Sequence, residues 1–315
     1  MKYPILISKL TKRSKEALMN RTSFAVRVLV SLLMCLLFAI TLFAHPGSGI
    51  VLDKEGNIYF TDTGKGVWKI DTQGKLSFLP ASKFHWMTID ANGDFAGSPK
   101  SFGEYFERVT TKSNKPSLIM CSDFPIVVNK DGNIYYAKTR PGSGKIIKRT
   151  PEGNESVFAS NKIFEFINGI AAGADGSLDI TESSTANAST IRKITTDGKM
   201  SIIATFVGKE GKDQPLETVP SYCRGLVVDT TGNIYVAATG SRSVLKITPQ
   251  SKITTILQAT SPWTPTGVAI FHGEVYILEW HDVTQENLEV RSAWIPRVRK
   301  IGPDGKLTIL ATVSR

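Results

Sequence analysis

TGNIYVAATGSRSVLKITPQSKITTIL, residues 231–257, reads as a tight turn, an aromatic-containing apolar run, a second run holding one lysine, and a third, β-branched run. Its opening hexamer recurs as EGNIYF (55–60), NGDFAG (92–97), DGNIYY (131–136), DGSLDI (175–180) and HGEVYI (272–277). The turn glycines, Gly56, Gly93, Gly132, Gly176, Gly232 and Gly273, are spaced by 37, 39, 44, 56 and 41 residues. A period of roughly 40 residues is that of a four-stranded propeller blade.

Each copy has the same internal order. A small-plus-apolar segment precedes the turn, as in GIVLD (49–53), PIVVN (125–129) and GLVVD (225–229). A third run carries a basic residue in every copy: Lys69, Arg108, Lys148, Lys193, Lys246 and Lys300. A fourth closes the module, as in LSFL (76–79), SLIM (117–120), SVFA (156–159) and LTIL (307–310). Runs of four to six residues rich in Val, Ile and Tyr and bounded by Gly, Asp and Asn are strands. Six copies of four strands predict 24. A four-stranded meander cannot bury both faces alone, so the sheets are expected to stack around an axis as an all-β, six-bladed β-propeller. An open solenoid or a pair of β-sandwiches would not show one uniform module from residue 49 to about 313.

GNIYFTDTGKGVWKIDTQGKL (56–76) and the 231–257 stretch resemble NHL repeats. The chain from residue 45 onward is more widely similar to SMP-30/gluconolactonase-like, strictosidine-synthase-like and virginiamycin-lyase-like propellers. The resemblance implies fold more than chemistry, since these relatives include lactonases, lyases and pure binding modules.

The first 44 residues differ in kind. Lys2, Lys9, Lys12, Arg13, Lys15, Arg21 and Arg27 face a single acid, Glu16, and the uncharged run Val28 to Ala44 follows. A basic region, an apolar region and a small residue form an export signal, and 17 apolar residues also sit at the short limit for a membrane span. Residues 1–44 are therefore read as a signal peptide cleaved near Ala44–His45 or as an N-terminal membrane anchor through residues 28–44, with Met19 an alternative start. The protein is expected to be secreted or periplasmic, or held at the membrane by that segment. Without residues 1–44 the formal +10 falls to +4, so most of the basicity is targeting and no nucleic-acid footprint is supported. The remaining Cys121 and Cys223 fall two blades apart and are expected not to bond. With 41% hydrophobic and 21% charged residues, the rest is globular rather than disordered.

In a four-stranded blade the loops entering strand 1 and those joining strands 2 and 3 open on one face. Equivalent positions before strand 1 are Ser48, His85, Phe124, Asn168, Arg224 and Thr266, with His45 and Asp123 adjacent. The strand 2–3 connections add Asp62, Ser98, Glu182, Glu279 and His281. Two long excursions, residues 206–222 and 280–296, fall on this face as well. Polar groups around a channel mouth suit a ligand, and His45, His85, Asp123, Asn168, Glu182, Arg224 and Thr266 are the candidates to bind one. Arg224 suits an anionic ligand, because a guanidinium grips a carboxylate or phosphate with paired hydrogen bonds. Glu279 and His281, two residues apart, are candidates for acid–base catalysis.

The lactonase resemblance implies a divalent ion, calcium or zinc, held by oxygen ligands. Asn168 in INGIA (167–171) matches that family's Asn-Gly step, and Asp123 could add a carboxylate. However, Cys223-Arg224-Gly225 stands where a later blade would offer Asp-Gly, and HPGSG (45–49) has no Glu. No CxxC, HExxH, GxSxG or P-loop motif is present. The expected function is an exported, monomeric propeller that binds a small molecule or peptide at the channel mouth. The alternatives are a metal-dependent hydrolase or a lyase, and a scaffold for a protein partner.

Overall fold

Three of the recurring turns are each closed by an acceptor side chain three residues before the glycine. Asp53 Oδ1 takes the backbone N–H groups of Glu55 and Asn57 at 3.1 and 2.8 Å, while Gly56 supplies the positive φ of 89°. Asp229 repeats this with Thr231 and Asn233 at 2.9 Å each, and Asn129 with Asp131 and Asn133. A short polar side chain that bonds two residues on is the chemistry of such turns, and it explains the recurring D/N-x-x-G-N-I-Y spelling.

The protein is described by a computed structural model over residues 46–63, 65–82, 85–90, 106–110, 117–138, 144–184, 188–207, 222–281 and 294–314. These lie in one unit, Ala44–Arg315. The strands form six antiparallel sheets, the blades of a β-propeller. Blade 1 is β1 (Ile50–Leu52), β2 (Ile58–Asp62), β3 (Gly66–Ile70) and β4 (Leu76–Pro80). Blade 2 is β5 (Trp86–Asp90), β6 (Phe106–Thr110) and β7 (Ser117–Cys121). Blade 3 is β8 (Ile126–Val128), β9 (Ile134–Lys138), β10 (Gly144–Arg149) and β11 (Glu155–Asn161). Blade 4 is β12 (Phe166–Ala172), β13 (Leu178–Ser184), β14 (Ala188–Ile194) and β15 (Met200–Val207). Blade 5 is β16 (Leu226–Val228), β17 (Ile234–Ala238), β18 (Ser243–Ile247) and β19 (Ile253–Gln258). Blade 6 is β20 (Trp263–Phe271), β21 (Glu274–His281), β22 (Ile295–Ile301) and β23 (Leu307–Thr312).

Five blades have four strands in chain order, as the repeat predicts. Blade 2 departs from it. Its order is β5-β7-β6, so SLIM, expected as an outer fourth strand, pairs directly with the innermost strand. The reason is composition: Ser117–Cys121 is buried at every position, as a strand covered on both faces must be. The outer strands β19 and β23 are instead mostly exposed or half-exposed. The NGDFAG copy lies outside the described residues.

The apolar residues divide into six clusters, one for each pair of neighbouring blades. Side chains alternate across each strand, so Ile58 and Phe60 pack toward blade 6 while Tyr59 packs toward blade 2. This is how about 270 residues avoid the size limit of a single core. The seam between blade 6 and blade 1 holds Phe60, Tyr276, Leu278, Trp280 and Trp294. The ring closes there without exchange of a strand. Trp280 Nε1 and Thr266 Oγ1 both donate to the carbonyl of Gly47, at 3.0 and 2.8 Å. Glycine lets neighbouring inner strands touch, since a Cβ on Gly267 would lie 2.3 Å from the Ser48 carbonyl oxygen.

The third-strand basic residues are mostly used locally rather than as a belt. Lys193 pairs with Asp175 at 2.9 Å and Lys300 with Glu274 at 2.7 Å, while Lys69 and Lys246 lie over the rings of Tyr59 and Tyr235. Cys121 and Cys223 are buried in different inter-blade clusters and form no disulfide with each other. Burial pushes the Cys223 thiol up to about 12, so it is inert as a nucleophile.

Candidate functional site

The six positions before strand 1 converge at one end of the axis. Ser48 and Gly49 donate their backbone N–H groups to the carbonyl of His85, and Gly225 donates to that of Thr266. Trp86, on the innermost strand of blade 2, donates through Nε1 to the carbonyl of Asn168 on blade 4 at 3.2 Å, although 82 residues separate them. Beneath this contact lies a cavity of about 170 Å³ lined by Trp86, Asp123, Phe166, Ile167, Asn168, Tyr222 and Arg224. Blades 2 to 5 all contribute to it.

Three of the candidate binding residues meet in that lining: Asp123, Asn168 and Arg224. Asn168 is oriented by its neighbours, donating Nδ2 to Ser183 Oγ at 2.7 Å while Oδ1 faces the Tyr222 hydroxyl at 3.4 Å. Ser183 Oγ in turn meets Ser189 Oγ at 3.0 Å, and Ser189 holds the backbone N–H of Cys223. The chain carrying Arg224 is fixed as well: its N–H donates to the Ala237 carbonyl, and its own carbonyl accepts Thr181 Oγ1 at 2.7 Å. Arg224 is 2% exposed and lines the cavity together with Asp123.

The other candidates fall elsewhere. Glu182 and Glu279 are not loop residues. They lie within β13 and β21, with 4% and 0% exposure. Glu182 accepts from Arg192 Nε at 2.7 Å. Glu279 is clamped on both oxygens, by Arg297 Nε at 2.6 Å and Arg299 Nη2 at 2.5 Å. Asp62, six residues after its turn glycine like these two, accepts from Trp68 Nε1 at 3.0 Å. A buried carboxylate matched to a donor on the next strand is thus a repeat device in blades 1, 4 and 6. Glu182 and Glu279 pair across the sheet with Ile167 and Pro265, level with the rim positions, and each is held by an arginine on the next strand, as a buried charge requires. His281 packs edge-on against Trp263 with ring centroids 5.0 Å apart, and the Arg297 guanidinium stacks on the other ring at 3.7 Å. His85 Nδ1 lies 2.7 Å from the Ser122 carbonyl. Thr266 is occupied in the seam. His45, Ser98 and nearly all of both excursions lie outside the described residues.

Sequence reading missed the aromatic walls, Trp86, Phe166 and Tyr222. A signal existed, because Phe166 and Tyr222 each stand two residues before a rim position, Asn168 and Arg224. A second cavity of about 210 Å³ opens at the other end of the axis; of its polar lining residues, Asn129 and Asp229 close their own turns and Lys130 donates to the Ala174 carbonyl at 3.2 Å.

The mouth cavity holds one carboxylate and one amide oxygen, with a guanidinium beside them. Among the described residues no three His, Cys, Asp or Glu side chains come together to hold a metal. Calcium takes six to eight oxygens and structural zinc four ligands, so the described residues of this cavity do not fit a divalent ion.

No protein-family profile matches the chain and no curated protein does. Solved structures do. A luciferin-regenerating enzyme aligns with a TM-score of 0.54 at 18% identity, over 80% of this chain and 91% of its own. A calcium-binding regucalcin from Agrobacterium tumefaciens aligns at 0.51 and 11%, over 82% and 90%. A gluconolactonase from Xanthomonas campestris aligns at 0.50 and 14%, over 75% and 84%. The likeness expected from the repeats is therefore met in fold.

Proposed function

We propose that the protein is an exported propeller that binds a small carboxylate, free or as the C-terminus of a peptide, in the mouth cavity. The observation that carries the reading is the meeting of Arg224 and Asn168 with Trp86, Phe166 and Tyr222 in one lining. The guanidinium recognises the carboxylate, Asn168 adds a hydrogen-bonding group, and the aromatic walls cover an apolar body. At about 170 Å³ the space is below the roughly 300–1,000 Å³ of drug-sized sites, which favours a small ligand or a chain end.

Benzoate and benzamide have the same body and differ in charge. Isothermal titration is expected to show benzoate binding and little or no binding of benzamide. Arg224→Lys, which keeps the charge and loses the planar fork, should bind benzoate about ten- to a hundredfold more weakly. Equal binding of the two compounds, or unchanged affinity in the variant, would remove the anion reading.

A metal-dependent hydrolase is the second reading, because Asp123 and Asn168 do share the cavity and the gluconolactonase shares the fold. Elemental analysis of the purified protein decides it. Stoichiometric calcium or zinc that disappears in both Asp123→Ala and Asn168→Ala would replace the first reading with this one; the expected result is no stoichiometric metal.

A further inference from the structure

The third residue after the turn glycine faces the next blade. It is Tyr59 in blade 1, Tyr135 in blade 3, Tyr235 in blade 5 and Tyr276 in blade 6. The hydroxyls of Tyr59 and Tyr235 donate to Asp53 and Asp229 of their own turns, and that of Tyr276 to Glu274. Blade 4 breaks the pattern at both places: Asp179 replaces the tyrosine, and Gly173 stands where Asp53 and Asp229 stand.

Asp179 is 2% exposed and its Oδ1 has no hydrogen-bond partner. It is paired across the sheet with Ala171 on β12 and Lys193 on β14. By alternation it lies on the face of β13 that also carries Thr181, toward blade 5. The cluster in that interface is apolar, including Ala171, Leu226, Val236 and Leu245. Among the described residues the charged or titratable groups around Asp179 are few. Lys193 extends to Asp175 in the turn, Cys223 and Arg224 precede β16, and Asp229 follows it. Thr181, two residues along the same face, holds the Arg224 carbonyl. Gly169 packs on that carbonyl so closely that a Cβ would lie 2.4 Å from it.

We propose that Asp179 is an acid-sensitive latch between blades 4 and 5, which closes when the carboxyl is neutral and loosens the Asn168–Arg224 wall of the mouth cavity when it ionises. Its meaning for ligand capture rests on the binding reading above; the latch itself does not.

Burial raises the Asp179 carboxyl to about 6 from an ordinary 3.8, with Lys193 opposing and Asp175 adding to the rise. A raised value means that the neutral form suits the folded interface. The stabilisation is complete below about 3.8 and is lost as pH rises through about 6. Between pH 5 and pH 7.5, opening that hydrates this carboxyl becomes about tenfold easier.

Hydrogen exchange read by mass spectrometry, corrected for intrinsic rates, tests the latch on the purified protein without any ligand. Peptides covering 166–172 and 222–228 are expected to lose about tenfold protection between pH 5 and pH 7.5. Peptides from the blade 5–blade 6 interface, where Tyr235 holds the equivalent place, should not. Asp179→Asn should abolish the difference; if that variant does not fold, Asp179→Tyr, the residue of the other blades, serves instead. A wild-type protein without the differential, or a variant that keeps it, overturns the latch. The benzoate titration stands or falls separately.

Discussion

Trp280→Ala is expected to lower the free energy of unfolding by about 3–5 kcal/mol, as large aromatic truncations in a packed core do. Trp280 is 0% exposed and sits in the seam cluster with Phe60, Tyr276, Leu278 and Trp294. Its Nε1 also binds the Gly47 carbonyl at 3.0 Å. The seam differs from the other five interfaces because no chain continuity joins the blades it connects. No strand is exchanged across it either, so side-chain packing and a few hydrogen bonds carry closure. Trp280→Phe retains most of the apolar surface and leaves Gly47 with Thr266 as its side-chain donor, so its loss should be markedly smaller. Equilibrium urea unfolding of both variants checks this. Equal, small losses would mean that closure is not carried by the seam.

The second large effect concerns Glu279. Its removal as Glu279→Ala leaves Arg297 and Arg299, 8% and 9% exposed, as adjacent buried cations that have lost the carboxylate they share. Breaking a buried pair by deleting one partner costs about 3–5 kcal/mol. Arg297 is already held below the usual guanidinium value by burial, with the Glu279 carboxylate opposing that shift, so loss of the carboxylate exposes the full desolvation cost. Glu182→Ala removes the partner of Arg192 alone and should cost less. Urea midpoints for the two variants give the comparison. An unchanged midpoint for Glu279→Ala, together with loss of a measurable activity, would return Glu279 and His281 to the acid–base role that their spacing first suggested.

The fold was legible because propeller blades are local. All four strands of a blade lie within roughly 40 consecutive residues, and each turn states its geometry in its own letters, as Asp53–Gly56 and Asp229–Gly232 do. The candidate site was legible in part for the same reason: counting back from each turn glycine located Asn168 and Arg224, which the ring then brought together. Periodicity failed in blade 2. The glycine pattern placed SLIM by its order along the chain, whereas burial on both faces placed it beside the innermost strand.

What the amino-acid sequence alone determined is the number of blades, their turns and the end of the axis at which the rim residues gather, since all of these follow from short-range pattern repeated in register. Only the tertiary structure decided which polar residues face the cavity and which face a neighbouring sheet. Glu182, Glu279 and Asp179 look like Asn168 and Arg224 along the chain; they differ in the partner supplied by another strand or blade. A buried charge is defined by that partner and by the water it loses, and neither can be read one residue at a time.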